Sequence, residues 1–194
     1  MGLPQPAPHF NLDGYMAWEA RQAERHEYVA GEVFGREGAS STHNIINGNL
    51  AIGLRSALRG TPCRVFLIDM KLRVDAADAV FYPDVLVTCD PRDKTPEADT
   101  AKRHPSLIVE VLSDSTAAYD RGFKFEQYRA IDTLREYLLV EQNRRHIDLF
   151  RRGEEGRWVL EPISDTNKIA LLDTRVTLSL DELYEDVEFA EQAE

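Results

Sequence analysis

The spacing of apolar residues along the chain predicts three helices. The clearest lies at residues 41–59, where apolar side chains recur every three or four positions. Two further helices are predicted at residues 12–25 and 118–131, because each follows residues that commonly cap a helix N-terminus. Asn11 or Asp13 would cap the first, and the polar run 113–116 would cap the second. The apolar face of the clearest helix would contain Ile45, Ile46, Leu50, Leu54 and Leu58.

Short apolar or alternating runs predict strands between and after these helices. Residues 26–36 predict a hairpin around a tight turn at Ala30-Gly31. The charged and proline-rich residues 90–105 predict a long loop. Further strands are predicted at residues 63–67, 70–74, 84–89, 107–112, 136–141, 146–151 and 157–162.

Together these elements predict one α/β (α+β) domain, in which a mixed β-sheet is flanked by helices and follows an N-terminal helix and β-hairpin. The chain has 194 residues, of which 43% are apolar and 29% are charged, as in a folded globular protein. We assign residues 1–11 to a lead-in, 12–180 to the domain and 181–194 to an acidic tail. The tail would form either a short helix or a frayed end.

The charge distribution argues only weakly against nucleic-acid binding. A net charge of −11 is unfavourable for a protein that contacts phosphates through lysine and arginine. However, residues 181–194 contain seven acids and no base, which leaves 23 basic and 27 acidic residues in the rest of the chain. Basic stretches of that remainder could still line a cleft.

No segment indicates a membrane or a secretory pathway. No apolar run approaches the length that crosses a bilayer, about 20 residues, and the first residues lack the basic and apolar parts of a signal peptide. Cys63 and Cys89 have neither CxxC nor zinc-site spacing, which favours core residues in a reducing compartment. We therefore expect a cytoplasmic protein.

Two acids interrupt or open apolar runs that predict strands. Asp84 follows Pro83 at the start of one run, and Glu110 lies inside the run 107–112. Burying an acid is costly unless it is paired or binds a metal. If the two strands pair, the carboxylates become cross-strand neighbours; their repulsion would raise one pKa, and a divalent cation would relieve it. The alternative is that Asp84 caps a turn and Glu110 pairs with an arginine.

Lys124 lies on the predicted helix that follows the strand containing Glu110. It comes one turn after Asp120 and one turn before Tyr128, so these side chains can share a face. A lysine directed into a carboxylate site could orient an attacking water or neutralise charge on a phosphate. The alternative is a solvated lysine paired with Asp120.

An acid after proline, a glutamate in the next strand and a nearby lysine resemble the PD-(D/E)XK nuclease superfamily. In that motif the lysine lies two residues after the second acid, whereas position 112 is leucine here. This departure resembles the Uma-type restriction endonuclease branch, once catalogued as a domain of unknown function, in which the lysine moves to the following helix. The resemblance covers roughly residues 12–180. Its matching segments are residues 26–32, 41–43, 81–85, 105–113, 119–124 and 136–140.

The resemblance implies a restriction endonuclease-like fold and a defined set of site residues. Asp84 and Glu110 would be metal ligands, with the backbone carbonyl of Val111 as a third. Lys124 would be catalytic. Glu27, in the first hairpin, would be an additional catalytic acid, or else a surface charge on an edge strand. The remaining candidate is His43, which would contact the phosphate or have a structural role at its helix N-terminus.

We therefore expect a Mg²⁺-dependent endonuclease that cleaves DNA, with Mn²⁺ able to substitute. Arg121, Lys71 and Arg73 are candidate phosphate contacts, with an exposed, solvated position as the alternative for each. Nucleases of this architecture often form homodimers, so a homodimer is a candidate oligomeric state for this chain. Two other functions stay open: a nuclease-fold binding module with weak or absent hydrolysis, and a hydrolase of smaller phosphoesters.

Overall fold

The computed structural model describes residues 10–36, 38–164, 168–172 and 176–189. The predicted lead-in falls mostly outside these residues, as does the end of the predicted acidic tail. The helices are α1 (Leu12–Glu19), α2 (Ser41–Ala57), α3 (Ala117–Tyr119), α4 (Phe125–Tyr128) and α5 (Leu180–Leu183), with a π-helical turn (Asp120–Lys124) joining α3 to α4. The strands are β1 (His26–Val29), β2 (Glu32–Gly35), β3 (Arg64–Leu67), β4 (Lys71–Val74), β5 (Ala79–Phe81), β6 (Val85–Thr88), β7 (Ala101–Lys102), β8 (Leu107–Leu112), β9 (Glu136–Glu141), β10 (Ile147–Arg152), β11 (Trp158–Ile163), β12 (Lys168–Leu171) and β13 (Val176–Ser179).

In the described residues these strands form three sheets. A six-stranded sheet has the order β11-β10-β9-β8-β6-β3, a five-stranded sheet has the order β2-β1-β5-β4-β7, and β12 pairs with β13. The β8–β9 and β4–β7 pairs are parallel and the other pairs are antiparallel. The predicted mixed α/β architecture is therefore confirmed.

Local chemistry explains where the first elements begin. The side chain of Asn11 accepts a hydrogen bond from the backbone N–H of Gly14 at 2.8 Å, and Ser40 caps α2 in the same way through His43 N–H at 3.1 Å. In the predicted hairpin, Ala30 and Gly31 have φ values of 47° and 97°. A two-residue turn of this kind needs both residues in the left-handed region.

The six-stranded sheet is covered on both faces. Side chains alternate along β6 and β8, so neighbouring residues of these strands contact different layers. The valines of β6 and β8 pack towards α2 with β12, β13 and α5. On the opposite face, Leu86, Ile108 and Leu112 pack with residues of β4, β5 and α4. Because side chains alternate along a strand, Glu110 shares this second face with Ile108 and Leu112. The strand register thus directs an acid into a largely apolar layer.

Several boundaries differ from the sequence prediction. Helix α1 ends at Glu19 and not near residue 25, because the buried carboxylate of Glu19 accepts hydrogen bonds from His26 N–H and Tyr82 O–H and turns the chain towards β1. Three short strands, β5, β12 and β13, were not predicted, and β7 lies inside the predicted loop. The predicted acidic tail begins within α5, whose Leu183 is buried in the core.

The structure describes no helix that is long and apolar enough to span a bilayer.

Cys63 and Cys89 form a disulfide, which corrects the expectation that they are separate core residues. They lie opposite each other because β3 and β6 pair with Arg64 against Thr88. The cytoplasmic location that the cysteines suggested remains a prediction. Sequence spacing did not reveal the pair because the contact depends on the strand register.

Removing this disulfide is expected to lower stability. The bridge closes a loop across 26 positions, and loss of such a constraint on the unfolded chain costs about 3 kcal/mol. Urea unfolding of the oxidised protein should therefore show a free energy of unfolding about 3 kcal/mol above that of the Cys63→Ala/Cys89→Ala variant. Wild-type protein in a thiol reductant serves as the second comparison and should match the variant. Identical curves for all three samples would contradict the bridge.

Candidate active site

A cavity of about 540 Å³ opens beside the ends of β6 and β8. Its walls come from the β1–β2 hairpin and the loop after it, the first half of α2, and the helical segment that follows β8. The cavity therefore lies where the two sheets and α2 meet. The acids and the lysine singled out from the sequence all line it.

Asp84 and Glu110 are cross-strand neighbours at the floor of this cavity. β6 and β8 pair with Val85 opposite Val109, so the next pair is Asp84 opposite Glu110. The backbone N–H of Asp84 donates to Glu110 Oε2 at 3.4 Å. The two residues are 4% and 2% exposed, so any group that reaches their carboxylates has to leave bulk water.

Asp84 is held in its ionised form. The backbone N–H of Val111 donates to Asp84 Oδ2 at 2.8 Å, and His43 Nε2 lies 3.1 Å from Asp84 Oδ1. Arg36 Nη2 is 3.7 Å from the same oxygen. Burial opposes ionisation, but the hydrogen bonds and charges of His43, Val111 and Arg36 outweigh it and hold the pKa of Asp84 below its usual value. His43 is therefore a direct partner of the first acid.

The environment of Glu110 shifts its pKa in the opposite direction to that of Asp84. Tyr128 O–H donates to Glu110 Oε1 at 2.8 Å, and Lys124 Nζ lies 3.4 Å from the same oxygen. Burial raises the pKa of Glu110 to about 8; Lys124 opposes this rise, while the neighbouring carboxylates of Asp120, Asp84 and Glu27 add to it. The two adjacent acids thus have pKa values shifted in opposite directions.

Lys124 lies among three carboxylates. Its Nζ is 3.1 Å from Glu27 Oε1, 3.1 Å from Asp120 Oδ1 and 3.4 Å from Glu110 Oε1. Burial lowers the pKa of this lysine, but the three carboxylates outweigh burial and raise it above its usual value. The lysine does pair with Asp120, one turn earlier, but inside the protein and not in solvent. Glu27 likewise lies in the cluster and is 6% exposed, so it is not a surface charge.

The chemistry of this cluster fits a hard divalent cation. The cluster contains four carboxylates: Asp84 contacts Arg36 and His43, and the other three surround the ammonium of Lys124. Glu27 Oε1 and Asp120 Oδ1 are buried near this ammonium without an oriented hydrogen bond. Oxygen ligands of this kind are what Mg²⁺ and Mn²⁺ prefer. No group of three acids, histidines or cysteines within the described ranges is already arranged around a metal position. Lys124 instead occupies the centre of the acids.

Metal-free protein is expected to lose stability as Glu110 ionises. Its pKa of about 8 in the folded chain exceeds the ordinary 4.5, so between these values the folded state binds a proton that the unfolded state does not. The stabilisation from this bound proton is complete below pH 4.5 and is lost as the pH rises from there through about 8. It is measured by urea unfolding in EDTA from about pH 5 to about pH 8, with Glu110→Gln, which stays neutral, as the reference. Over this range wild type should lose on the order of 4 kcal/mol relative to the variant; parallel profiles would contradict the shift.

Three predicted phosphate contacts are not brought to the cavity. Arg121 donates instead to Asp148 and Glu141, because it points away from the side of the π-helical turn that carries Lys124. Lys71 Nζ lies over the ring of Tyr82, 5.5 Å from its centroid. The third, Arg73, forms ion pairs with Asp13 at 2.8 Å and Asp75 at 2.6 Å. None of the three lines the cavity, and ion pairs occupy both arginines.

The sequence pattern did not identify two residues that line the cavity, Arg36 and Asn47. Arg36, just after β2, donates to the carbonyl of Ile68 at 3.3 Å in addition to its contact with Asp84. Asn47 is 3% exposed and lies one helical turn after His43 on α2. That spacing was a usable signal for Asn47, since residues four apart share a helix face. The position of Arg36 depends on how the hairpin packs, which the sequence does not show.

Comparison with known proteins places this chain in a family. Residues 12–183 match the Uma2 family model, which is described as "Putative restriction endonuclease". Two proteins of Synechocystis sp. (strain ATCC 27184 / PCC 6803 / Kazusa), both described as uncharacterized, are also similar. One, slr1290, is 34% identical over 184 residues, covering 95% of this chain and 96% of its own length. The other, sll1609, is 33% identical over 153 residues, covering 79% and 86%.

A solved structure from Anabaena variabilis ATCC 29413, described as "a putative nuclease belonging to DUF820", has the same fold. It superposes with a TM-score of 0.73 over 90% of this chain and 97% of its own, at 15% sequence identity. This likeness confirms the predicted fold class. Since the family model spans most of the chain and includes the whole acid and lysine cluster, the chain belongs to the Uma2 family.

Proposed function

We propose that this chain is an endonuclease that depends on a divalent cation, naturally Mg²⁺ with Mn²⁺ as a substitute, and hydrolyses phosphodiester bonds in DNA. The observation that carries the proposal is the adjacent pair Asp84 and Glu110 at the floor of a cavity that also contains Lys124. The family description, and the fold shared with a protein described as "a putative nuclease", support it.

Asp84, Glu110 and the backbone carbonyl of Val111 would hold the cation. When bound, such a cation lowers the pKa of a coordinated water and stabilises negative charge on a phosphate. Asp84 is suited to this role because His43 and the N–H of Val111 keep it ionised. Glu110 needs to lose its proton before it can act as a ligand, because burial raises its pKa to about 8.

The other side chains position and neutralise the substrate. Glu27 and Asp120 hold the Lys124 ammonium beside Glu110, where it can orient a water or offset charge that develops on the phosphate. Arg36 is the basic group nearest to Asp84 on the hairpin side and would contact a phosphate oxygen. His43 acts through Asp84, as a positioning residue.

Cleavage of supercoiled plasmid and of single-stranded circular DNA tests the proposal. Wild-type protein should cut in Mg²⁺ or Mn²⁺ and not in EDTA, and Glu110→Ala protein prepared in the same way should not cut. Activity that persists in the variant would contradict the assignment of Glu110. A folded wild-type protein that binds DNA without cutting it would favour the binding-module alternative. Hydrolysis of small phosphodiesters alone would favour the small-substrate alternative.

A further inference from the structure

Two exposed apolar side chains lie at the edge of the catalytic cavity. Phe34 and Ile68 are 45% and 39% exposed, and both line the cavity. Phe34 pairs across the hairpin with Glu27, and directly opposed residues project from the same face of a sheet. The Phe34 ring therefore lies on the side of the hairpin that carries a member of the acid cluster.

The backbone at Ile68 is unusual for its side chain. Its φ of 40° lies in the left-handed region, which is strongly disfavoured for β-branched residues and clusters at ligand-binding positions. Its N–H donates to the carbonyl of Asp84 at 3.0 Å, and its carbonyl accepts from Arg36 at 3.3 Å. The strained turn is thus tied directly to the metal-ligand strand, with its apolar side chain in the cavity wall.

Asn47 supplies an unsatisfied polar group in the same cavity. The residue is 3% exposed, and its buried Oδ1 has no hydrogen-bond partner among the described residues. A buried polar atom without a partner is costly, so such atoms commonly await a ligand or water. A carboxamide can offer both an acceptor and donors, which suits the polar edge of a nucleobase.

A double helix does not match this arrangement. The acids and Lys124 are 2–6% exposed, so a phosphate has to enter the cavity to reach them. The cavity volume of about 540 Å³ falls in the range, about 300–1,000 Å³, that encloses a small ligand. In a duplex the bases are stacked and paired, so their faces and edges are not free to contact Phe34 or Asn47.

We propose that the cavity holds an unpaired nucleotide and that the preferred substrate is single-stranded DNA. The nucleobase stacks on Phe34 next to Ile68 and hydrogen-bonds to Asn47, while its phosphate lies by Asp84 and Glu110. Base stacking on an aromatic ring tolerates every base, so this site selects unpaired strands and not a sequence. The assignment of the phosphate position rests on the proposed nuclease function.

Cleavage of matched oligonucleotides tests this proposal. Single strands should be cut at least about 10-fold faster than a blunt duplex of the same sequence, and Phe34→Ala should lower kcat/KM on the single strand by about 5- to 100-fold. Phe34→Trp should retain activity. Leu160→Ala, which truncates a residue 49% exposed on β11 outside the cavity lining, is the matched control and should act like wild type. On a single strand with abasic sites, Phe34→Ala and wild type should be equal.

Binding in Ca²⁺, followed by fluorescence anisotropy of labelled strands, separates this proposal from the nuclease function. Tighter binding of the single strand than of the duplex, weakened by Phe34→Ala and by Asn47→Ala, supports the nucleotide site even if no DNA is cut. Equal binding or cutting of both DNA forms, no effect of Phe34→Ala, or no DNA binding by the folded protein would overturn it.

Discussion

Replacing Lys124 by methionine is expected to destabilise the metal-free protein by about 3–5 kcal/mol at neutral pH. The ammonium is the one positive group within 3.4 Å of Glu27, Glu110 and Asp120 in the described structure. Methionine is almost as long as lysine but leaves the buried carboxylates of Glu27 and Asp120 without a counter-charge. DNA cleavage should fall by at least about 100-fold, because charge on the phosphate is no longer offset.

The effect of Mg²⁺ distinguishes this electrostatic loss from a packing defect. A cation that binds the folded state stabilises it, so Mg²⁺ should raise the thermal midpoint of Lys124→Met more than that of wild type. Lys102→Met is the matched control, since Lys102 is also buried, at 3% exposed, but, within the described part of the chain, donates hydrogen bonds to the carbonyls of Asp93 and Ala98 and to no carboxylate. Its loss of stability should not respond to Mg²⁺. An equal Mg²⁺ response in both variants would contradict the cluster's role.

Asp84→Asn is expected to reduce cleavage by about 100- to 1,000-fold or more while the fold persists. Asparagine has nearly the same shape and can still accept the hydrogen bond from Val111 N–H. It lacks the negative charge that His43 and Arg36 maintain at this position, and a neutral amide is a weak ligand for Mg²⁺ compared with a carboxylate. The measurement is the single-turnover cleavage rate in saturating Mg²⁺, with the thermal midpoint as a check on folding.

Asp148→Asn provides the comparison for this variant. Asp148 is also a buried aspartate, and its pKa is also lowered, but by Arg121 and His146 on the far side of the helical turn. Its replacement removes a similar charge outside the cavity, so cleavage should change by less than about twofold while stability falls by about 1–3 kcal/mol. Equal losses of cleavage in the two variants would mean that Asp84 acts through stability alone.

The parts of the fold that could be predicted are those with a strong local signal. The strands Leu107–Leu112 and Glu136–Glu141 have the predicted bounds because each is a short, mainly apolar run that is followed by polar turn residues. Strands β5 and β7 have three and two residues, which is too short for a periodic pattern to register. Their existence depends on pairing with partners distant in sequence, as does the disulfide between Cys63 and Cys89.

The candidate site also contains residues with a local sequence signal and residues whose contacts depend on the folded structure. Asp84 and Glu110 could be paired from the sequence because Asp84 opens one apolar run and Glu110 interrupts another, and Lys124 could be added because it lies one turn from Asp120. The sequence could not show that Arg121 pairs with Asp148 and Glu141 outside the cavity lining, because these two acids come from two other strands. Arg36 had no sequence signal, since its contact with Asp84 arises only when the hairpin packs beside β6.

The location of a bound Mn²⁺ ion tests the central proposal most directly. Crystals grown without metal and then soaked in Mn²⁺ should show an anomalous difference peak in contact with carboxylate oxygens of both Asp84 and Glu110. The same crystals of Asp84→Asn should lack this peak. Well-ordered wild-type crystals in which Lys124 stays among the carboxylates at saturating Mn²⁺, with no peak between Asp84 and Glu110, would contradict a metal-dependent nuclease centre in this cavity.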